Sequence, residues 1–221
     1  MADLNLADRL KRIEQLENEL IRKGAGIVGA GADLSHADFF IFGALRRTLA
    51  QARGFRDLIN ARNFPCAAAI LRLQLDTAMR VNALSIVDDV DDVDAACRAV
   101  LDGEQFNRLK DRDGNRLSDA HIRKKLAETH LWISPVYERT SDFVHLSGKH
   151  FEVSIARTDD ETRMVYFQIS GHDPQRSEET YFEAVDNFFE ATKLVGMLLL
   201  AFWMARHQRE TVMASMPKDG A

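Results

Sequence analysis

The amino-acid sequence predicts a mainly α protein, an up-and-down helical bundle of five to seven helices with one small β-hairpin insertion. Apolar residues recur every three or four positions along most of the 221 residues, which is the period of an amphipathic helix. Only one stretch alternates apolar and polar residues around a polar turn. The chain is 46% hydrophobic with a net charge of −5, which favours a single helical domain over residues 1–221.

The first two predicted helices are separated by a glycine-rich segment. In the opening helix, leucines and an isoleucine between Leu6 and Leu20 share one side. We expect residues 24–34 to form a linker, followed by a helix N-cap at Asp33 or Ser35. The second helix carries apolar residues at steps of three and four as far as Ile59.

Three more helices are expected before the hairpin. The third begins at Phe64-Pro65, because proline fits the first turn of a helix. A shorter helix follows an aspartate-rich start and ends near Gly103. Another helix begins at about Ser118, after the turn-rich "DRDGNRLS".

The last third of the chain is predicted to contain the hairpin, the final helix and a tail. Residues 151–169 are rich in β-branched and aromatic residues around "RTDDET", which predicts a β-hairpin. The last helix runs from about Ser177 to Arg209, and residues 211–221 form a loose tail.

Localisation is predicted from the terminal sequence, the cysteines and the longest apolar run. The N-terminus alternates charges with leucines, unlike a signal peptide. The run "LVGMLLLAFWMA" is shorter than the roughly 20 residues of a membrane span, so we expect a core helix centred on Leu199 and no membrane. Cys66 and Cys97 have no paired spacing. We therefore expect a cytoplasmic protein.

Motifs for cofactors and metals fail on their context. The segment Gly24–Gly29 matches a dinucleotide-binding pattern, but a charged helix precedes it where a strand is required. In "DRDGNR", Arg116 stands where a calcium loop requires glycine. Asp142 and His145 resemble half of a di-metal site, whose second half is missing. We expect neither a cofactor nor a metal.

The stretch "PVYERTSDFVHLSGKH", residues 135–150, carries the candidate catalytic pair, Arg139 and His145. Tyr137, Ser141 and His145 stand at successive steps of four, which predicts one shared helix face. Two more pairs in the chain have an arginine followed after four to six residues by a histidine, as Arg139 and His145 do: Arg116 with His121 and Arg123 with His130. Spacing alone therefore does not select the pair.

Two segments together resemble a bacterial helical family described as a domain of unknown function. They are "YERTSDFVH" and "AAAILRLQLDTAMRV", which contains Arg72 and Asp76. The resemblance covers roughly residues 39–145. More distantly, Arg139 and His145 fit the arginine, four to six residues, histidine motif of the HEPN nucleases, from which the chain differs at Thr140.

This resemblance implies a metal-independent endoribonuclease of toxin or defence type that acts as a homodimer on single-stranded RNA. It implies that His145 takes the proton of a 2′-hydroxyl and that Arg139 stabilises the charge on phosphorus. The supporting residues would be Tyr137, Ser141, Asp142, Arg72 and Asp76. If the chain is such an enzyme, we expect the two His145 side chains within about 15 Å across a twofold axis.

Two groups of basic residues are candidates for nucleic-acid binding. Arg46, Arg53 and Arg56 occupy one arc of the second helix, away from its apolar side. Arg123, Lys124 and Lys125 form a local patch in a chain of negative net charge. Either group could equally be a solvated helix surface.

The alternative function is a non-catalytic helical dimerisation or interaction domain. On this interpretation His145 stabilises a helix C-terminus with Asp142 as its partner, and Arg72 forms a structural ion pair with Asp76. The leucines of residues 5–20 could then form a dimer interface far from His145.

Overall fold

The computed structural model describes residues 4–27, 33–173 and 177–207. These ranges contain eight α-helices and one antiparallel pair of strands, which confirms the mainly α class with a small hairpin. The elements are α1 Leu6–Ile27, α2 His36–Asn60, α3 Phe64–Ala83, α4 Val90–Leu101, α5 Asp119–Ala127, α6 Ile133–Ser141, α7 Gly148–Ser154, β1 Ile155–Asp159, β2 Met164–Phe167 and α8 Glu179–His207.

Four long helices, α1, α2, α3 and α8, form the core. Phe55 of α2 and Phe188 of α8 stack at its centre, with ring centroids 3.9 Å apart and both side chains buried. Leu199 is 1% exposed and Trp203 is fully buried, whereas Met197 and Met204 of the same run are exposed. The prediction that the most apolar run lies in the core is therefore confirmed for one side of α8. By length and composition alone, α8 could also cross a membrane, and 44% of its apolar window is buried against the rest of the chain.

The directions of the long helices follow from the contacts between them. The end of α8 meets the start of α2, where Arg206 lies 3.0 Å from Asp38, so these two helices are antiparallel. By contrast, Arg12 of α1 lies over Phe189 and Leu20 lies against Gly196, so α1 and α8 run parallel. Helices α1 and α2 are therefore antiparallel, as the predicted up-and-down bundle requires, and α8 runs parallel to α1.

The first helix is longer than predicted. It continues through Gly24 to Ile27, so the prediction that a linker begins at residue 24 was wrong. Gly24 is buried, and a Cβ there would lie 2.9 Å from Leu45 and 3.5 Å from Trp203. Contact with α2 and α8 thus holds the helix at this glycine. Residues 28–32 and the predicted tail, 211–221, lie outside the described residues.

The hairpin is shorter than the predicted 151–169, because its first residues belong to α7. Ser147 caps this helix, accepting a hydrogen bond from the Lys149 backbone N–H at 3.2 Å, and its own N–H lies 3.3 Å from the His150 ring. The strands then pair from Ile155 with Phe167 to Asp159 with Met164. This extra helix raises the count to eight in the described ranges, one above the predicted range.

A buried carboxylate joins the ends of α2 and α8. Asp38 is fully buried and forms a capping box with Ser35, which was one of the two predicted N-caps. It also lies 2.7 Å from the ring of His207 and 3.0 Å from Arg206. Burial alone would raise the pKa of Asp38, but the hydrogen bonds with Ser35 and His207 bring it below its usual value.

Candidate functional site

Three of the predicted supporting residues meet between α3 and α6. The Arg72 guanidinium of α3 lies 3.5 Å from the centroid of the Tyr137 ring and donates a hydrogen bond to the Tyr137 hydroxyl. Its Nε also lies 3.3 Å from the Ser141 hydroxyl. Arg72, Tyr137 and Ser141 therefore form one cluster, which we call the tyrosine cluster.

Arg123 of α5 joins the tyrosine cluster from another side. Its guanidinium lies 4.7 Å from the centroid of the Tyr137 ring and 3.6 Å from the Glu138 carboxylate. Two cations therefore share one aromatic ring, an arrangement that the ring's electron-rich face stabilises. Arg123 was predicted only as part of a surface patch, and the sequence offered no signal for this contact.

Asp76 does not belong to the tyrosine cluster. Its carboxylate lies 3.0 Å from Arg80, which also lies 3.1 Å from Asp119 of α5. The predicted ion pair between Arg72 and Asp76 was therefore wrong. Arg72 and Arg80 both lie four residues from Asp76 along α3. Because Arg72 contacts Tyr137, the Asp76 carboxylate pairs with Arg80.

The predicted single helix face from Tyr137 to His145 was wrong, because α6 ends at Ser141. The Ser141 hydroxyl donates to the Tyr137 carbonyl at 2.7 Å, and Thr140 does the same to Val136 at 2.7 Å. Such bonds from side chain to backbone compete with helix continuation. His145 therefore lies in a bend beyond the helix.

His145 is exposed. The predicted cap, in which His145 contacts Asp142 at a helix end, does not occur among the hydrogen bonds and ion pairs of the described residues. Asp142 instead accepts a hydrogen bond through its carbonyl from the Ser147 hydroxyl at 2.8 Å. Arg139 and His145 therefore do not lie on one helix.

Arg139 lies on α6 with its side chain 58% exposed, and it contacts α8. Its guanidinium lies 2.6 Å from the carboxylate of Glu183. At such exposure an ion pair contributes little to stability and exchanges partners readily. Arg139 is therefore available to a ligand anion that competes with Glu183.

A cleft of about 570 Å³ lies beside Arg139, and we call it the α6 cleft. Its wall includes Phe64 and Phe143, whose rings meet edge to face with centroids 5.6 Å apart. Arg139 and Lys149 supply positive charge at the cleft, and Asp142, Glu138 and Glu183 supply negative charge. The cleft volume lies within the range of small-molecule sites.

Sequence reasoning missed Phe64, Lys149 and Glu183 as cleft residues. They come from α3, α7 and α8, so only the tertiary fold brings them to the helix that carries Arg139. Lys149 lies inside the quoted stretch of residues 135–150, but most of the helix that carries it, residues 151–154, was predicted as part of the hairpin. A local pattern could not have identified the other two.

The arginines of α2 do not form one free basic surface. Arg46 and Arg53 are exposed, and Arg53 lies 3.3 Å from Asp57. Arg56 was expected on the same solvated arc, but it is largely buried between α2 and α1. There it lies 2.8 Å from Glu17, which makes it a structural residue.

The three residues of the second basic patch, Arg123, Lys124 and Lys125, also lie in different environments. Arg123 belongs to the tyrosine cluster, and Lys125 lies 3.4 Å from Glu128 on the same helix. Lys124 is exposed on α5. Among the described residues, Lys124 is therefore the member of this patch that is exposed and has no ion-pair partner.

Comparisons with known proteins do not assign a family or a function to the chain. No protein-family model matches the chain, and neither a curated protein nor a solved structure matches it significantly. Within residues 4–27, 33–173 and 177–207, no three His, Cys, Asp or Glu side chains are grouped to hold a metal ion. The ligand of this chain must therefore be inferred from its own side chains.

Proposed function

We propose that the chain is a metal-independent endoribonuclease that binds single-stranded RNA at the α6 cleft. The observation that carries this proposal is the cleft itself, where cationic Arg139 and Lys149 adjoin the aromatic wall of Phe64 and Phe143. Unpaired bases are bound by aromatic side chains, and the adjoining phosphates by cations. A paired, stacked base could not enter such a cleft.

The proposed reaction uses the RNA's own 2′-hydroxyl. His145 does not line the α6 cleft, so the RNA in this proposal extends from the cleft past the end of α6. There His145 takes the 2′-hydroxyl proton while that oxygen forms a bond to the adjacent phosphorus. The bond from phosphorus to the 5′-oxygen breaks, and the leaving oxygen takes a proton from water. The hydroxide that remains takes the proton held by His145, which restores the neutral histidine. The products are a 2′,3′-cyclic phosphate and a 5′-hydroxyl. Arg139 stabilises the negative charge that develops on the phosphoryl oxygens.

The tyrosine cluster has a positioning role in this proposal. Arg72 holds Tyr137 and Ser141, which fix the last turn of α6. Arg139 lies on that turn, and the bend with His145 follows it. Loss of the cluster would therefore displace both proposed catalytic side chains without removing either of them.

Cleavage of single-stranded RNA in the presence of a chelator tests the proposal. We expect the native chain to release 2′,3′-cyclic phosphate ends and to leave an oligonucleotide with a 2′-deoxy sugar at the cut position intact. Arg139→Ala and His145→Ala should each remove cleavage while leaving the melting temperature unchanged. Arg116→Ala and His130→Ala are matched controls from the other motif matches and should cleave normally.

A non-catalytic interaction domain is the second candidate, and one observation favours it. Arg139 and Arg72 both use their charges to join α6 to other helices, through Glu183 and Tyr137. If the native chain leaves RNA intact with or without chelator, and Arg139→Ala lowers the melting temperature, these residues serve the fold. That outcome would replace the nuclease proposal.

A further inference from the structure

Helix α2 contains a glycine, Gly43, that helix packing does not require. Glycine is among the poorest helix formers, so a glycine inside a helix needs a reason. Gly24 and Gly196 have one, because a Cβ at either position would press against a leucine of a neighbouring helix. A Cβ at Gly43 would meet nothing within 4 Å. Among the described residues, no neighbouring side chain therefore requires a glycine at this position.

Gly43 interrupts a row of large side chains along one face of α2. Phe39, Gly43 and Arg47 are spaced four residues apart, so they share a face and span about 12 Å along the helix axis. All three line a cavity of about 310 Å³, which we call the Gly43 groove. Its other walls come from the second half of α3 and from the end of α4. The groove thus lies where α2 lacks one side chain between an aromatic ring and a guanidinium.

The size and the rim of the Gly43 groove favour a small molecule as its occupant. Phe39 of α2 is 54% exposed and Leu101 of α4 is 50% exposed, so two large apolar side chains stand open to solvent at the groove. Apolar walls with a few polar groups are typical of small-molecule sites, and the volume lies at the lower end of their range. A helix is at least about 10 Å wide and could not enter a cavity of this size.

Arg47 gives the Gly43 groove an available positive charge. Its Nε donates a hydrogen bond to the Thr77 hydroxyl at 3.0 Å, which holds the guanidinium against α3. Within the described part of the chain, no carboxylate lies within ion-pair distance of Arg47. The other arginine of the groove, Arg80, is already paired, at 3.0 Å from Asp76 and 3.1 Å from Asp119. The two terminal nitrogens of Arg47 can therefore donate to both oxygens of a ligand carboxylate.

We infer that the Gly43 groove binds a small carboxylate with an aliphatic body. The carboxylate pairs with Arg47, and the aliphatic chain lies over the Cα of Gly43, where the absence of a side chain lets a ligand approach the helix backbone closely. The far end of the chain contacts Phe39 and Leu101. The groove uses the second half of α3, whereas the α6 cleft uses the first half. This inference therefore does not rest on the proposed function.

Titration of the isotope-labelled full chain with octanoate, followed by NMR, tests the inference. We expect a Kd of about 0.1–1 mM, as ligand efficiencies allow for so small a molecule, and a shift of the Gly43 amide signal. Gly43→Leu should weaken binding at least about tenfold, because the leucine side chain fills the groove. Its melting temperature should not fall, because leucine is a better helix former than glycine. Gly54→Leu is the matched control, since Gly54 also lies on α2 with open space around it but outside the groove, and it should bind octanoate normally.

A change of charge tests the role of Arg47. Arg47→Gln should weaken octanoate binding about tenfold and leave the weaker binding of uncharged octanamide unchanged. Arg46→Gln removes the adjacent exposed arginine, which lies outside the groove, and should have little effect. The inference is overturned if octanoate at about 5 mM does not bind, if Gly43→Leu binds it as tightly as the native chain, or if octylammonium binds more tightly than octanoate. None of these outcomes bears on whether RNA is cleaved.

Discussion

Arg72 of α3 lies 3.5 Å from the centroid of the Tyr137 ring, so that a stacked charge joins α3 to α6. Arg72 also donates to the Ser141 hydroxyl, one helical turn further along α6. A single arginine thus holds two successive turns of a helix of only nine residues. So short a helix depends on tertiary contacts for its stability.

Replacing Arg72 should therefore destabilise the protein measurably. We expect Arg72→Met to lower the free energy of unfolding by about 1–3 kcal/mol, because it removes the stacked charge and the hydrogen bonds with Tyr137 and Ser141. Urea denaturation measures this difference. Arg98→Met, on the exposed side of α4, is the control and should change stability by less than about 0.5 kcal/mol. Equal effects at both positions would contradict a special role for Arg72.

Leu199 provides a test of the core. It is 1% exposed on α8, so Leu199→Asp should unfold the protein by burying a charge without a partner. Leu199→Ala should cost about 2–5 kcal/mol. Met197, two residues away, is exposed, and Met197→Asp should leave the protein folded. Circular dichroism and thermal melting distinguish these outcomes, and a folded Leu199→Asp variant would refute the placement.

Local sequence patterns predicted the parts of this fold that depend on neighbouring residues. The period of apolar residues located the long helices, and Ser35 was correctly one of two predicted N-caps for α2. The buried position of Leu199 followed from the apolar run around it. In each case, the physical cause acts within one helix or at its first turn.

The sequence could not predict features that depend on distant residues. The pairing of Arg139 with Glu183 and the direction of α8 relative to α1 both arise from packing between helices. The end of α6 at Ser141 was also missed, because its hydroxyl bonds back to the Tyr137 carbonyl instead of facing solvent. Most of the candidate cleft therefore became visible only in three dimensions.

Gly196 allows the close approach of α1 to α8. A Cβ at this position would lie 2.5 Å from a terminal methyl carbon of Leu20, which is itself buried and has little room to move. Gly196→Ala should therefore cost about 1–3 kcal/mol by overpacking. Gly43 of α2 has open space around it, so Gly43→Ala should stabilise the protein by about 0.5–1 kcal/mol. In thermal unfolding, Gly196→Ala should lower the melting temperature and Gly43→Ala should raise it.

Stability in acid should depend on the contact between α2 and α4. Burial alone would raise the pKa of Asp94, but hydrogen bonds with His36 and with the Ala37 backbone N–H lower it to about 2, from a reference value of 3.8. A carboxylate with a lowered pKa stabilises the fold above its unfolded pKa and loses that contribution as the pH falls. The contribution should therefore decline between pH 3.8 and about 2.

Asp94→Asn isolates this contribution, because asparagine has nearly the same shape and no charge. The native chain should be more stable than the variant at pH 5, and the difference should shrink as the pH falls towards 2. Denaturant unfolding at a series of pH values measures the difference. A constant difference across this range would show that the Asp94 charge does not control acid stability.

The ion pair of Arg139 with Glu183 predicts how the α6 cleft responds to a change on α8. The two groups lie 2.6 Å apart, and both side chains are more than half exposed. An anionic ligand must replace Glu183 as the partner of Arg139, and the carboxylate also repels phosphate from the cleft. We therefore expect Glu183→Gln to tighten binding of single-stranded RNA, measured by fluorescence anisotropy with a labelled oligonucleotide.

The size of this gain in affinity, and its dependence on salt and on Arg139, distinguish RNA binding at the α6 cleft from a general effect of net charge. Removing one carboxylate beside a phosphate should increase affinity by about threefold to tenfold at low salt, and less at high salt. Glu190→Gln removes a half-exposed carboxylate from the same helix, where it pairs with Lys193, and should change affinity much less. In the Arg139→Ala background, Glu183→Gln should lose most of its effect, because the arginine that it releases is gone. Equal gains from both glutamates would place RNA binding elsewhere on the protein.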